Sequence, residues 1–155
     1  MRLNPINTSA AAYKAYLNFA LTPGTVEAGL RDLINIRVSQ INGCAFCLDM
    51  HVKEATIRGE RALRLHHLAI WHESQLFSPR ERAALRWAEI VTRLGEGGIP
   101  DEAYEAARAA FTEQELSDLT MAVVAINGWN RLNIAFPKPP GALDAMFGLE
   151  KAGLS

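Results

Sequence analysis

The sequence predicts an all-α fold, a compact bundle of about six or seven helices, on three observations. Apolar residues recur mostly at helical spacing, and no alternating strand pattern survives comparison with it. Residues that start and stop helices fall between the apolar stripes. In order, Tyr13, Tyr16, Leu17 and Ala20 form a short amphipathic segment that ends at Thr22-Pro23-Gly24. Leu30, Leu33, Ile34, Val38 and Ile41 make one stripe of a longer helix, which Asn42-Gly43 terminates because Gly accepts the left-handed conformation of a C-cap. A further helix begins at or near Cys44 and runs to the break at Gly59. Ser78-Pro79-Arg80-Glu81 opens the next, with Ser78 as cap, Pro79 in the first turn and Glu81 completing a capping box. Its apolar stripe is Ala84, Trp87, Ala88 and Val91. After the break from Gly95 to Pro100, Thr112-Glu113-Gln114-Glu115 repeats the capping pattern before the apolar run Leu116 to Ile126. That run is apolar nearly all round from Leu119 to Ile126, which predicts a central helix or a subunit contact. Pro137 to Gly141 is the last break. No repeat, low-complexity tract or long linker interrupts the pattern, so residues 1–155 are expected to form a single helical domain.

Composition narrows the function classes. Hydrophobic residues make up 49% and charged residues 21% of the 155, an ordinary globular balance rather than a disordered one. Lys and Arg number 16 against 17 Asp and Glu, so the net charge of -1 supplies no pull toward nucleic acid or an anionic membrane. The apolar stretch Met121–Ile126 is far short of the roughly 20 residues a membrane span requires. The start, Met1-Arg2-Leu3-Asn4-Pro5, lacks the apolar core of a signal peptide. A cytoplasmic protein with no nucleic-acid or membrane partner is the expectation. Neither a G-x-G-x-x-G nor a P-loop occurs, and no cofactor is expected.

The two cysteines carry more information. Cys44 and Cys47 are three apart, and with His51 they occupy positions i, i+3 and i+7, which share one helical face. A thiol near a helix N-terminus feels the positive end of the dipole, which favours the thiolate. His51 lies one turn beyond Cys47 and can take or return its proton. If the chain reverses at Asn42-Gly43, Asp32 falls level with His51 and Lys53, where its carboxylate can orient the imidazole.

Other readings compete with this one. The cysteines can serve as small buried hydrophobes. A zinc site needs four ligands; Cys44, Cys47 and His51 supply three, and His66, His67 and His72 stand at no zinc-motif spacing. Haem attachment fails because Leu48, not His, follows Cys47, and a thioredoxin site fails because no strand precedes the pair. Redox chemistry on a helical scaffold is best supported, with no metal expected. Trp71 reads as core more readily than as pocket wall, with His72 and Glu73 beside it. His66-His67 reads as solvated face, and Glu89 with Arg93 as an i, i+4 pair supporting its own helix. Asn127, Asn130 and Arg131 are expected to bond backbone groups or a neighbouring subunit.

The stretch Arg37 to His51, with Cys44-Ala45-Phe46-Cys47 and His51, resembles the alkylhydroperoxidase D-like (AhpD-like) branch of the carboxymuconolactone decarboxylase superfamily. Trp71-x-Glu73-Ser74, Glu81-Arg82-Ala83-Ala84-Leu85 and Asn127-x-Trp129-Asn130-Arg131 match as well, and the resemblance runs from about Leu30 to Gly141. It implies an all-helical fold, trimers or hexamers, and a thiol peroxidase that reduces organic hydroperoxides and is recycled by a dithiol or protein reductant. It also implies that Cys47 attacks the peroxide, that Cys44 resolves the sulfenic acid as a disulfide, and that His51 serves the proton relay. The helix dipole alone favours Cys44 as the more acidic thiol, so the resemblance and the dipole assign attack differently. The family's Glu twelve residues before the first Cys is Asp32 here, one methylene shorter, and a His expected before the second Cys is Phe46. The alternatives are the lactone-transforming branch, which needs acid–base groups but no thiol pair, and a non-enzymatic oligomer whose disulfide alters assembly.

Overall fold

The computed structural model describes residues 2–154. Among these residues nine α-helices follow one another: α1 (Pro5–Thr8), α2 (Ala10–Leu21), α3 (Ala28–Asn42), α4 (Ala45–Ile57), α5 (Ala62–His67), α6 (Pro79–Thr92), α7 (Asp101–Ala110), α8 (Glu113–Ala135) and α9 (Asp144–Phe147). Single 3-10 turns at Leu68–Ile70 and Leu149–Ala152 complete them. Six of the helices reach ten residues or more, and no strand occurs among the described residues, in line with the sequence pattern.

The caps form where the residue types require them. Ser78 accepts from the Glu81 N–H while Glu81 accepts from the Ser78 N–H, and Thr112 with Glu115 does the same at the start of α8. At the end of α3 the Gly43 N–H donates to Gln40 and the Cys44 N–H to Ser39, with Gly43 at φ 71°, a Schellman closure. That closure turns the chain through the reversal that lays α4 back along α3.

Helix α3 is the centre of the packing, touching α4, α6 and α8. Leu30, Ile34 and Val38 on one side join Cys44, Phe46, Cys47, Trp87, Leu119, Val123 and Ile126 in one core. Leu33 and Ile36 on the other side pack with Ala55, Leu68, Trp71, Phe77 and Leu85 in a second. Trp71 is therefore core, as its residue type favours. Helix α8 buries Leu116, Leu119, Val123 and Ile126 in the core, whereas Met121 and Val124 face outward. Helix α2 packs against the second half of α8, with Tyr16 donating to the Val124 and Ala125 carbonyls and both Tyr13 and Tyr16 edge-on to Trp129. Gly128 permits the approach, because a Cβ there would lie 1.9 Å from the Tyr16 hydroxyl.

Candidate redox site at the α3–α4 corner

Cys44 is the N-cap residue of α4 and Cys47 stands in its first turn. The Cys44 sulfur accepts from the Cys47 N–H at 3.3 Å, so a thiol-type side chain fills the place that Ser or Asp usually takes. The two sulfurs are joined as a disulfide, the oxidised form of the pair. Both residues are almost wholly buried, at 2% and 1% exposure. Asn133, from the last turns of α8, donates to the Cys47 sulfur at 3.7 Å. It is a polar neighbour that sequence reasoning missed, since nothing in the local pattern of α8 ties position 133 to α4. Phe46 is buried beside the pair with the Lys138 ammonium over its ring.

His51 is buried one turn further along α4, and its Nδ1 lies 2.7 Å from Glu54 Oε2. An ionised carboxylate only accepts, so Nδ1 carries the hydrogen and Nε2 is left as the ring's acceptor. Burial works against the Glu54 charge, but the His51 hydrogen bond and charge, together with Arg58, outweigh it and hold the carboxyl below its usual range.

Asp32 corrects the geometry expected from the hairpin. It does come level with His51, close enough for their charges to interact. Its carboxylate is nonetheless held by Arg58, whose Nη1 donates to both oxygens at 2.8 Å, and the imidazole's hydrogen-bond partner is Glu54. Asp32 is buried, and that burial pushes its carboxyl up despite the guanidinium beside it. The hairpin register was legible from the turn; the pairing of Asp32 with Arg58, a long side chain two turns beyond His51, was not. Lys53 is likewise buried, and its ammonium bridges Asp49 and Asp144, with Gly141 donating its N–H to Asp49. These contacts fasten the segment before α9 to the cysteine-bearing helix.

A second polar cluster was undervalued in the sequence. Glu89 is not only an i, i+4 partner of Arg93: it is buried, accepts from Arg37 Nε at 2.6 Å and from the Trp71 indole N–H at 2.8 Å. Burial opposes its charge, and the Trp71 and Arg37 bonds overcome it, keeping the carboxyl low. Asn127 and Asn130 find partners within the chain: Asn42 donates to both, and Asn130 donates to Ser39. Arg131 donates to Asn127. This ladder joins α8 to the end of α3 immediately before Gly43, which secures the corner. His66 is exposed, as expected of a solvated face, while His67 Nδ1 meets the Ser74 hydroxyl. No group of three or more His, Cys, Asp or Glu side chains able to hold a metal ion occurs among the described residues. No described helix is long and apolar enough to cross a membrane.

Known proteins share both the motif region and the shape. The family model for the carboxymuconolactone decarboxylase family matches residues 8–89, which include Asp32, Cys44, Cys47 and His51. The uncharacterized protein YdfG of Bacillus subtilis is 45% identical over 111 residues, 72% of this chain and 76% of that one. A crystal structure of a protein of unknown function from Agrobacterium tumefaciens, named a candidate antioxidant defence protein AhpD, superposes with a TM-score of 0.84. That protein is 39% identical, over 91% of this chain and 98% of its own. A peroxidase-related protein of Ralstonia eutropha with an alkylhydroperoxidase AhpD core shares the fold at TM-score 0.74 and 21% identity, over 88% and 74% of the two chains.

Proposed function

Because the chain belongs to the carboxymuconolactone decarboxylase family, as an AhpD-like member, we propose that it is a thiol-dependent peroxidase that reduces organic hydroperoxides. The observation that carries this reading is the Cys44–Cys47 pair, bonded to each other at the start of α4 with His51 one turn beyond. A structural disulfide between residues three apart in one helical turn constrains very little chain, so stability alone gives little reason for it. A dithiol that opens and closes at a helix N-terminus does give one.

In the reduced protein the Cys47 thiolate attacks the outer oxygen of the hydroperoxide. The O–O bond breaks, Cys47 becomes a sulfenic acid, and the departing alkoxide takes a proton to leave as an alcohol. His51 holds and returns that proton. The Cys44 thiolate then attacks the Cys47 sulfur and displaces hydroxide, which leaves as water once protonated, and the disulfide forms. A dithiol or protein reductant supplies two electrons and two protons to reopen it. Attack by Cys47 rather than Cys44 agrees with two features: Cys47 receives the Asn133 hydrogen bond, and it lies nearer His51 along the helix. Asp32 adds a second negative charge near the imidazole and holds Arg58. The exposed Met121 and Val124 on α8 suit assembly into trimers or hexamers.

With dithiothreitol as reductant, the wild-type protein is expected to consume cumene hydroperoxide and Cys47→Ser to lose that turnover. Equal turnover by Cys47→Ser overturns the proposal. Retained activity on a lactone substrate after both cysteines become Ser favours the lactone-transforming branch instead.

A further inference from the structure

We propose that Glu54, and not Asp32, is the principal carboxylate that positions His51 and balances its charge when Cys47 ionises. The inference deepens the peroxidase reading, since it concerns the proton relay of the same site.

Four observations carry it. Glu54 is the only carboxylate among the described residues within hydrogen-bond distance of the imidazole, at 2.7 Å on Nδ1. It stands three residues beyond His51 on the same helix, so the contact is set by helical geometry and does not depend on the packing of another element. Asp32, from α3, is occupied by Arg58, which reaches both of its oxygens. The remaining charges of neighbouring elements are matched elsewhere: Lys53 by Asp49 and Asp144, and Arg37 by Glu89. Lys138 lies over Phe46. The ionisable groups that bear on His51 are therefore Glu54, Asp32, Arg58 and Cys47 itself.

The chemistry follows from the tautomer. With Nδ1–H donated to Glu54, Nε2 is the ring position that can take a proton, and the carboxylate offsets the positive charge that then forms. Glu54 is a positioning residue in this arrangement; it acts through His51. His51 and the carboxylate that positions it are thereby carried on one helix.

The test measures Cys47 ionisation directly. In the Cys44→Ser protein, reduced, the rate of Cys47 alkylation by iodoacetamide is followed against pH. Glu54→Gln is expected to move the midpoint of that profile upward by about one unit, slowing alkylation about tenfold at pH values below both midpoints. Glu54→Asp moves it in the same direction by less. Asp32→Asn shifts it less than half as far as Glu54→Gln. In a His51→Gln background, Glu54→Gln adds no further shift, a result that loss of helix stability would not produce. An unmoved midpoint in Glu54→Gln, or a larger shift in Asp32→Asn, overturns the proposal. Alkylation consumes no peroxide, so this outcome is read separately from whether the protein turns over hydroperoxides.

Discussion

Two polar clusters flank α3, and they differ in what they leave unpaired. At one, buried Glu89 is answered by Arg37 and the Trp71 indole N–H in the interior and by the exposed Arg93 and His72 at its edge. At the other, Asp32, Arg58, Glu54 and His51 pair among themselves, yet Nε2 of the imidazole has no hydrogen-bond partner among the described residues. The first cluster ties α3 and Trp71 to α6 and so holds helices together. The second retains a site that can bind a proton, one turn from the disulfide-bonded Cys44–Cys47 pair. Burial of charge is thus common to both, and the unpaired nitrogen is what distinguishes the cluster around His51.

The sharpest way to break the comparison is at Glu89. Glu89→Ala leaves the Arg37 guanidinium buried without its counter-charge, and such a loss typically costs about 3–5 kcal/mol. Urea denaturation should register it, while the alkylation profile of Cys47 stays in place. Replacing both partners, Arg37→Met with Glu89→Met, should recover most of that stability, because no uncompensated charge remains. A Glu89 variant that moved the Cys47 profile as far as Glu54→Gln would erase the distinction between the clusters.

A smaller effect is expected where neither cluster is touched. Gly128→Ala pushes a methyl into the Tyr16 hydroxyl, and overpacking of this kind costs roughly 1–3 kcal/mol. The loss should appear in thermal melts and be relieved by Tyr16→Ala but only in part by Tyr16→Phe, whose ring carbon would still lie 2.5 Å from the added methyl. Helix α2 buries none of its residues, so its displacement should leave the α3–α4 corner intact.

The smallest effect is in acid, and it has opposite signs for the two carboxylates near His51. Glu54 titrates below its ordinary value in the folded chain, so its contribution is present above that value and is lost as pH falls through the lowered one. Asp32 titrates above its ordinary value, so its contribution is complete below that value and declines as pH rises through the raised one. Stability measured by urea at successive acid pH values should therefore fall less steeply in Glu54→Gln than in wild type. In Asp32→Asn it should fall more steeply.

Much of this was legible in the residues. The i, i+3, i+4 stripes, Ser78 with Glu81, Thr112 with Glu115 and the Gly43 stop are local signals, decided within a few residues, and they place the helices. The one-face spacing of Cys44, Cys47 and His51 is local too. Glu54 belongs to the same class: it stands three residues from His51 on one helix, a spacing that by itself brings the two side chains within reach. Asn133 and the buried state of Glu89 had no such signal, because their partners lie 86 and 52 residues away in the chain.

By itself, then, the sequence determined the helical class, the corner at Asn42-Gly43 and the cysteine pair at a helix start, all set by backbone preferences and spacing over a turn or two. Tertiary structure alone decided the pairing of the charged groups: Asp32 with Arg58, Glu89 with Arg37, Lys53 with Asp144. Long side chains can reach several partners from one backbone position, and only the packed arrangement of helices settles which opposite charge is nearest when water is excluded.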